Sequence, residues 1–143
     1  MWRRTEGSRG FTLMELIVVI AVISVLASLI GPMVFRNVGD AKVAAAKAQI
    51  ELAGLALEQY RLDNDHYPST TQGLAALLTR PEGDPPARNW RGPYLRKQVP
   101  LDPWGLPYVY LSPGTQHPES YDLLSFGRDG LPGGQGEDED IVR

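Results

Sequence analysis

The chain has no cysteine, which excludes a disulfide framework and a thiolate nucleophile and leaves the redox compartment open. It has only two histidines. His66 and His117 are too far apart in sequence to suggest a ligand pair, and both read as surface residues near prolines. Positive charge is not in excess either: 14 Lys and Arg stand against 17 Asp and Glu, a formal charge of -3. An acidic chain with no basic stripe lacks the phosphate-neutralising surface that nucleic-acid binding relies on. No nucleophile, base and orienting group stand out together, so catalysis has no support. There is no internal repeat.

Charge is also missing from Leu16 to Phe35, where only Ser24, Ser28, Gly31 and Pro32 interrupt an apolar run. About 20 such residues, rising ~1.5 Å each as a helix, span a ~30 Å hydrocarbon core, so a membrane helix is predicted. A secretory signal peptide fits less well, because its apolar region is typically ~7–15 residues and Ala27-Ser28-Leu29 is a poor cleavage sequence. A plain one-span anchor accounts for the length and for Arg3, Arg4 and Arg9 ahead of it, but leaves Glu15 unexplained. A carboxylate at the mouth of an apolar span is costly to ionise and marks a functional position that needs a partner. The three arginines favour a cytoplasmic amino terminus, although Arg36, Lys42 and Lys47 dilute the bias; the rest of the chain is then expected outside.

Past the span, Ala41, Ala45, Ala48, Leu52, Leu55 and Leu62 recur at steps of three, four or seven, with Asp40, Lys42, Lys47, Glu51, Glu58 and Arg61 mostly between them. This predicts an amphipathic helix whose stripe packs closely at its alanines and fills a core at its leucines. Pro32 would leave the Ser28 carbonyl unpaired, which predicts a kink near Gly31-Pro32. The helix is expected to stop between Asp63 and His66, because Tyr67 precedes Pro68. Ser69-Thr70-Thr71-Gln72 reads as a capping box opening a short helix through Leu78. Pro81 to Pro93 is a proline-rich connection. Strands are predicted from Tyr108 to Leu111 and from Tyr121 to Phe126, joined by a loop holding Pro113, Gly114 and Pro118. The fold class is α+β, a long amino-terminal helix packed on a small antiparallel sheet. Trp90, Tyr94, Trp104 and Tyr108 could form a sugar-binding face, but proline–aromatic packing over the sheet accounts for them more simply.

Gly10-Phe11-Thr12-Leu13-Met14-Glu15, behind a basic leader and ahead of the apolar run, resembles the processing site of the type IV pilin and pseudopilin superfamily. The resemblance implies that a prepilin peptidase cuts between Gly10 and Phe11 and N-methylates Phe11, and that Glu15 serves assembly. Loss of residues 1–10 removes Arg3, Arg4, Arg9 and Glu6 and leaves side chains summing to -5. Downstream, Thr71-Gln72-Gly73-Leu74, Trp90-Arg91-Gly92-Pro93-Tyr94-Leu95, Asp102-Pro103-Trp104-Gly105 and Ser125-Phe126-Gly127-Arg128-Asp129-Gly130 occur in the order seen in major pseudopilins of type II secretion systems. Minor pseudopilins and true type IV pilins share the amino-terminal motif without this set. One departure is that family members usually continue for several residues where this chain stops at Arg143, which bears on the packing of the last strand.

The implied organisation is a leader over 1–10, a transmembrane helix over 11–35 and a periplasmic domain over 36–143. The implied role is a non-enzymatic subunit that forms a homopolymer, the periplasmic pseudopilus, and helps drive folded proteins across the outer membrane. Its implied partners are the prepilin peptidase, the minor pseudopilins and the inner-membrane assembly platform. A type IV pilin used in adhesion, motility or DNA uptake is one alternative; a membrane-anchored periplasmic module for calcium or glycan is another.

Asp129 to Asp140 is the one plausible inorganic site. Its residues alone favour a solvated acidic tail after an Asp-Gly turn, and the spacing is not that of an EF-hand. The resemblance implies that this loop binds calcium, with Asp129 and Asp140 as the best side-chain ligands, Asp138 next, and Phe126 and Leu131 as carbonyl donors. Without a cation, the carboxylates of Asp129, Glu137, Asp138, Glu139 and Asp140 are expected to repel one another and leave the loop mobile.

Overall fold

A computed structural model describes residues 10–143, except for the side chains of residues 32–36. Residues 1–9 of the expected leader and the Pro32 side chain at the expected kink lie outside the described residues. One helix, α1, runs from Leu13 to Asn64. The chain divides between Asn37 and Val38 into two units.

In the first unit, Leu13–Gly31 has a mean hydropathy of 2.8 and no buried residue, and is long and apolar enough to cross a membrane. Its two hydroxyls bond to the helix itself: Ser24 Oγ donates to the Ile20 carbonyl at 2.8 Å and Ser28 Oγ to that of Val25 at 2.7 Å. No hydroxyl donor of the run is therefore stranded in a hydrocarbon surrounding.

The second unit overturns the expected orientation of the helix. The face of α1 turned to the core carries Gly39, Ala46, Ile50, Ala53, Leu57, Tyr60 and Asn64, all buried. The stripe of Ala41, Ala45, Ala48, Leu52, Leu55 and Leu62 is exposed along its whole length, with its leucines 62, 61 and 75% accessible. The helix thus has two apolar stripes of the same three-and-four spacing, roughly 150° apart at 3.6 residues per turn. Periodicity gives both the same signature. The sheet and loops cover only the one that carries Ile50, Leu57 and Tyr60.

The end of the helix is as expected: Asp65 takes a φ of 67° immediately after Asn64. The capping box also forms, with the Ser69 N–H donating to Gln72 Oε1 at 2.9 Å and the Gln72 N–H to Ser69 Oγ at 3.3 Å. It leads into a turn and a 3-10 helix over Leu74–Leu77 rather than an α-helix. Gly73, at φ 59° and ψ -168°, breaks the α-helical path between them.

The sheet has strands β1 Val109–Leu111, β2 Asp122–Ser125 and β3 Ile141–Val142 in the order β1-β2-β3, antiparallel throughout. Tyr110 pairs with Leu123, and Ser125 with Ile141. Every residue of β2 is buried, as fits a central strand. Leu123, Leu57, Tyr60 and Leu77 form the fully buried centre. The aromatic residues pack here and do not form an open face. Tyr94 meets Tyr60 edge-on at 5.6 Å, the Trp90 indole donates to the Ala76 carbonyl at 2.9 Å, and Tyr110 donates to that of Pro68 at 2.8 Å. β3 is further held by Arg143, whose N–H donates to the Leu123 carbonyl at 3.1 Å. Its guanidinium crosses α1 at Gly54, where any Cβ would collide with it, and donates to the Tyr121 hydroxyl.

Candidate assembly site and acidic loop

Gly10 and Phe11 precede α1 and are exposed; nothing lies within 4 Å of the Cβ position at Gly10, and Phe11 is 79% accessible. Thr12 caps the helix. Its Oγ1 accepts the Glu15 N–H and its carbonyl the Leu16 N–H, both at 3.2 Å. Glu15 is therefore the third residue of the first turn, where a carboxylate is favoured by the unpaired N–H groups and the helix dipole. The Thr-x-x-Glu spacing is the sequence signal of this cap.

The acidic loop is more tightly knit than its composition suggests. Arg128 grips Asp138 with two bonds, Nε to Oδ1 at 2.9 Å and Nη2 to Oδ2 at 2.8 Å, and lies 3.8 Å from Glu137. Glu137 lies flat on α1: a Cβ at Gly39 would meet its Oε1 at 2.6 Å, while Oε2 accepts the Trp104 indole N–H at 3.1 Å. The backbone coils closely as well. The Arg128 N–H donates to the Glu137 carbonyl at 2.8 Å, and Gly127, at φ 70°, has no room for a Cβ against residues 137–139. The expected mutual repulsion is thus offset within the chain, for Asp138 and Glu137 in particular.

The structure does not bring the three expected carboxylate ligands, Asp129, Asp138 and Asp140, into one group. Asp129 Oδ1 accepts the Leu131 N–H at 3.0 Å, Asp138 is taken by Arg128, and Asp140 Oδ2 accepts the Gly133 N–H at 3.0 Å. Among the described residues no group of three or more His, Cys, Asp or Glu is placed to hold a metal ion. Within this loop, Asp140 Oδ1 is buried without a donor, and the Tyr60 hydroxyl and Asn64 Oδ1 along α1 are likewise buried without a partner.

Two buried carboxylates, Asp102 and Asp122, anchor loops at the two ends of β2, a role their sequence context did not announce. Asp102 accepts the N–H groups of Trp104 at 3.1 Å and Leu106 at 2.8 Å on Oδ1, and the Ser125 hydroxyl at 2.6 Å on Oδ2. The turn at Asp102-Pro103-Trp104 has the form in which an aspartate bonds the backbone two residues on. Asp122 accepts from Thr115 N at 2.6 Å, Gln116 N at 2.9 Å and His117 N at 3.2 Å, with the Thr115 hydroxyl at 2.8 Å and His117 Nδ1 at 3.0 Å. The Gln116 N–H above all, with the Thr115 and His117 donors, holds its carboxyl well below the usual carboxylate range despite the opposing effect of burial.

Comparison with known proteins gives this architecture its place. Residues 33–143 match the family model of type II secretion system protein G, and residues 7–31 that of the prokaryotic N-terminal methylation motif. The chain belongs to the type II secretion system protein G family. It is 47% identical over 141 residues to the type II secretion system core protein G of Pseudomonas aeruginosa, covering 99% of this chain and 96% of that one. Its identity to the Escherichia coli K12 protein of the same name is 45% over 140 residues, covering 98% and 93%. Among solved structures it resembles the major pseudopilin from the type 2 secretion system of enterohaemorrhagic Escherichia coli, with a TM-score of 0.62 and 37% identity over 75% of this chain and 90% of that one. The family is one of structural pseudopilins and not of enzymes, as the sequence implied. A match along nearly the whole chain sets aside the type IV pilin and the anchored binding module.

Proposed function

We propose that a prepilin peptidase cuts this pseudopilin between Gly10 and Phe11 and N-methylates Phe11. Residues 11–35 then hold it in the inner membrane, amino terminus cytoplasmic, with residues 36–143 in the periplasm. With minor pseudopilins and the inner-membrane assembly platform it polymerises into a pseudopilus whose growth helps move folded proteins across the outer membrane. One observation carries this reading: an uncovered apolar helix, opened by a single exposed carboxylate at Glu15. Such a helix is stable in lipid or against its own copies, and stacking copies head to tail is a contact that does not close, which generates a filament.

Cleavage frees a cationic amine on Phe11, and Glu15 of one copy pairs with that amine on the next. Stranding one charge of a buried pair costs about 3–5 kcal/mol. The capped first turn supports a second, smaller role, since a carboxylate there stabilises the helix by about 0.3–1 kcal/mol. Glu15→Leu and Glu15→Asp separate the two. Leu should insert but not polymerise. Asp keeps the favourable charge but shortens the reach, and should lower fibre yield if pairing is the main role. Wild-type fibre yield from Glu15→Leu would remove the pairing, and an intact mass retaining residues 1–10 in functional protein would remove the processing.

Calcium in the acidic loop belongs to the same proposal. A buried acceptor without a donor costs about 1–3 kcal/mol, and Asp140 Oδ1 is such an atom that a cation would satisfy. Asp129 and Asp140, with the carbonyls of Phe126 and Leu131, make the oxygen-rich set a hard cation prefers. Asp138 joins them only by leaving Arg128.

A further inference from the structure

The acidic loop carries its own cation. Arg128 sets Nε and Nη2 on the two oxygens of Asp138, at 2.9 and 2.8 Å, the forked geometry in which an arginine binds a carboxylate best. A carboxylate gripped on both oxygens has little left to offer a metal ion, and the guanidinium repels one by its charge. We propose that Arg128 is a built-in rival of calcium: its guanidinium holds Asp138 while the loop carries no metal and must swing away when one binds, so that Arg128 sets the calcium concentration at which the loop responds. The inference rests on the calcium reading above and adds to it a residue that opposes binding.

Three observations carry it. The side-chain latch is separable from the backbone fold of the loop. The Arg128 N–H donates to the Glu137 carbonyl at 2.8 Å, and Gly127 lies against the backbone of residues 137–139, so the two segments stay joined when the guanidinium lets go. The latch is also free to open: the Arg128 side chain is 58% exposed, and water can take over its donors. Finally, the carboxylate it holds belongs beside Asp140, whose buried Oδ1 has no donor. The Gly133 N–H donates to Asp140 Oδ2 at 3.0 Å, and a Cβ on the next residue, Gly134, would fall 3.0 Å from the Asp138 Cβ. Asp138 and Asp140 thus flank one glycine turn. With Asp138 turned to Arg128, however, no group of three metal-ligating side chains forms among the described residues.

The test titrates calcium by calorimetry into the full chain in detergent micelles, stripped of divalent cations, and melts the same samples in calcium and in chelator. An exposed ion pair shifts an equilibrium by up to about fivefold, and a site that is competent in only a fraction of molecules binds more weakly by that fraction. Arg128→Ala should therefore tighten the calcium Kd by about fivefold. It should also lower Tm in chelator, so that the rise in Tm on adding calcium grows; a merely structural arginine would lower Tm alike in both conditions. Arg128→Lys keeps the charge without the fork and should fall between. Asp138→Asn separates the latch from simple charge repulsion, because asparagine keeps an oxygen ligand but gives the guanidinium no carboxylate to hold. In that background Arg128→Ala should change Kd by less than about twofold. Equal tightening in both backgrounds, or a Kd unmoved by Arg128→Ala, would overturn the proposal and leave the calcium reading standing. Calcium binding by neither wild type nor Arg128→Ala would remove both readings together.

Discussion

At the scale of single residues, the buried carboxylate of Asp122 organises a whole loop. Asp122 closes the loop from Gly114 to Ser120 by accepting three successive backbone N–H groups. A Cβ at Gly114 would lie 2.6 Å from its Oδ1, so the wrap is close enough to require glycine there. Bonds to a charged acceptor are worth about 1.5–3 kcal/mol each, and Asp122→Asn should destabilise the domain by on the order of 3 kcal/mol in urea unfolding. The pH dependence has a definite sign. Because the folded carboxyl titrates below the 3.8 of an ordinary aspartate, its contribution is complete above that value and is lost as pH falls through the folded one. The gap between wild type and Asp122→Asn should therefore narrow only below about pH 4; a gap already shrinking between pH 7 and 5 would contradict this origin. Gly39 offers a second check. Alanine normally gains about 1 kcal/mol over glycine in a helix, but here its Cβ would push Glu137 off the Trp104 indole. Gly39→Ala should be neutral or destabilising alone, and stabilising in a Glu137→Ala background. Equal effects in both backgrounds would show that the two residues do not interact.

At the scale of elements, the apolar run from Leu16 and the helix stop between Asp63 and His66 were legible, and α1 runs from Leu13 to Asn64, but its rotation was not legible. Its two stripes have the same spacing, and spacing carries no information about which one meets a sheet. β1 and β2 came through because β-branched and aromatic residues lie between clear turn signals. β3, only Ile141–Val142, is too short for a period-two pattern and owes its place to pairing with Leu124 and Ser125. The side chain of Arg143, threaded over Gly54 between Glu51 and Tyr121, secures it. Gly54→Leu should expel that guanidinium while raising local helix propensity. The Arg143 amide, bonded to the Leu123 carbonyl, should then lose protection from hydrogen exchange while the buried α1 amides around Leu57 keep theirs. Protection unchanged at Arg143 would show that backbone pairing alone holds the strand.

At the scale of the molecule, the core from Ala46 to Ile141 lies wholly within residues 38–143, so this unit can be melted without the membrane helix. A ligand that binds only the folded state stabilises it by about 2.7 kcal/mol at a hundredfold excess over Kd. For a domain of about 100 residues that is a rise in Tm of roughly 10 °C. Residues 36–143 melted in calcium, in magnesium and in chelator should show that rise with calcium alone, and Asp129→Ala or Asp140→Ala should erase it. Because Arg128 already holds Asp138, Asp138→Asn should lower Tm in chelator too. An unchanged curve at millimolar calcium would return the loop to a self-neutralised acidic segment.

Much of this chain was determined by local chemistry. The uncharged run after Glu15, the helix stop before Tyr67-Pro68 and the capping box at Ser69 each depend on a few neighbouring residues, and each could be read along the sequence. The tertiary structure decided what depends on distant partners. It selected the Ile50–Leu57–Tyr60 face for the core and left Leu52, Leu55 and Leu62 outside, paired Arg128 with Asp138, laid Glu137 on Gly39, and buried Asp102 and Asp122 among backbone donors. A carboxylate in a sequence is the same residue whether it is solvated, paired or caged. Only the donors that folding brings within about 3 Å give it one of those roles.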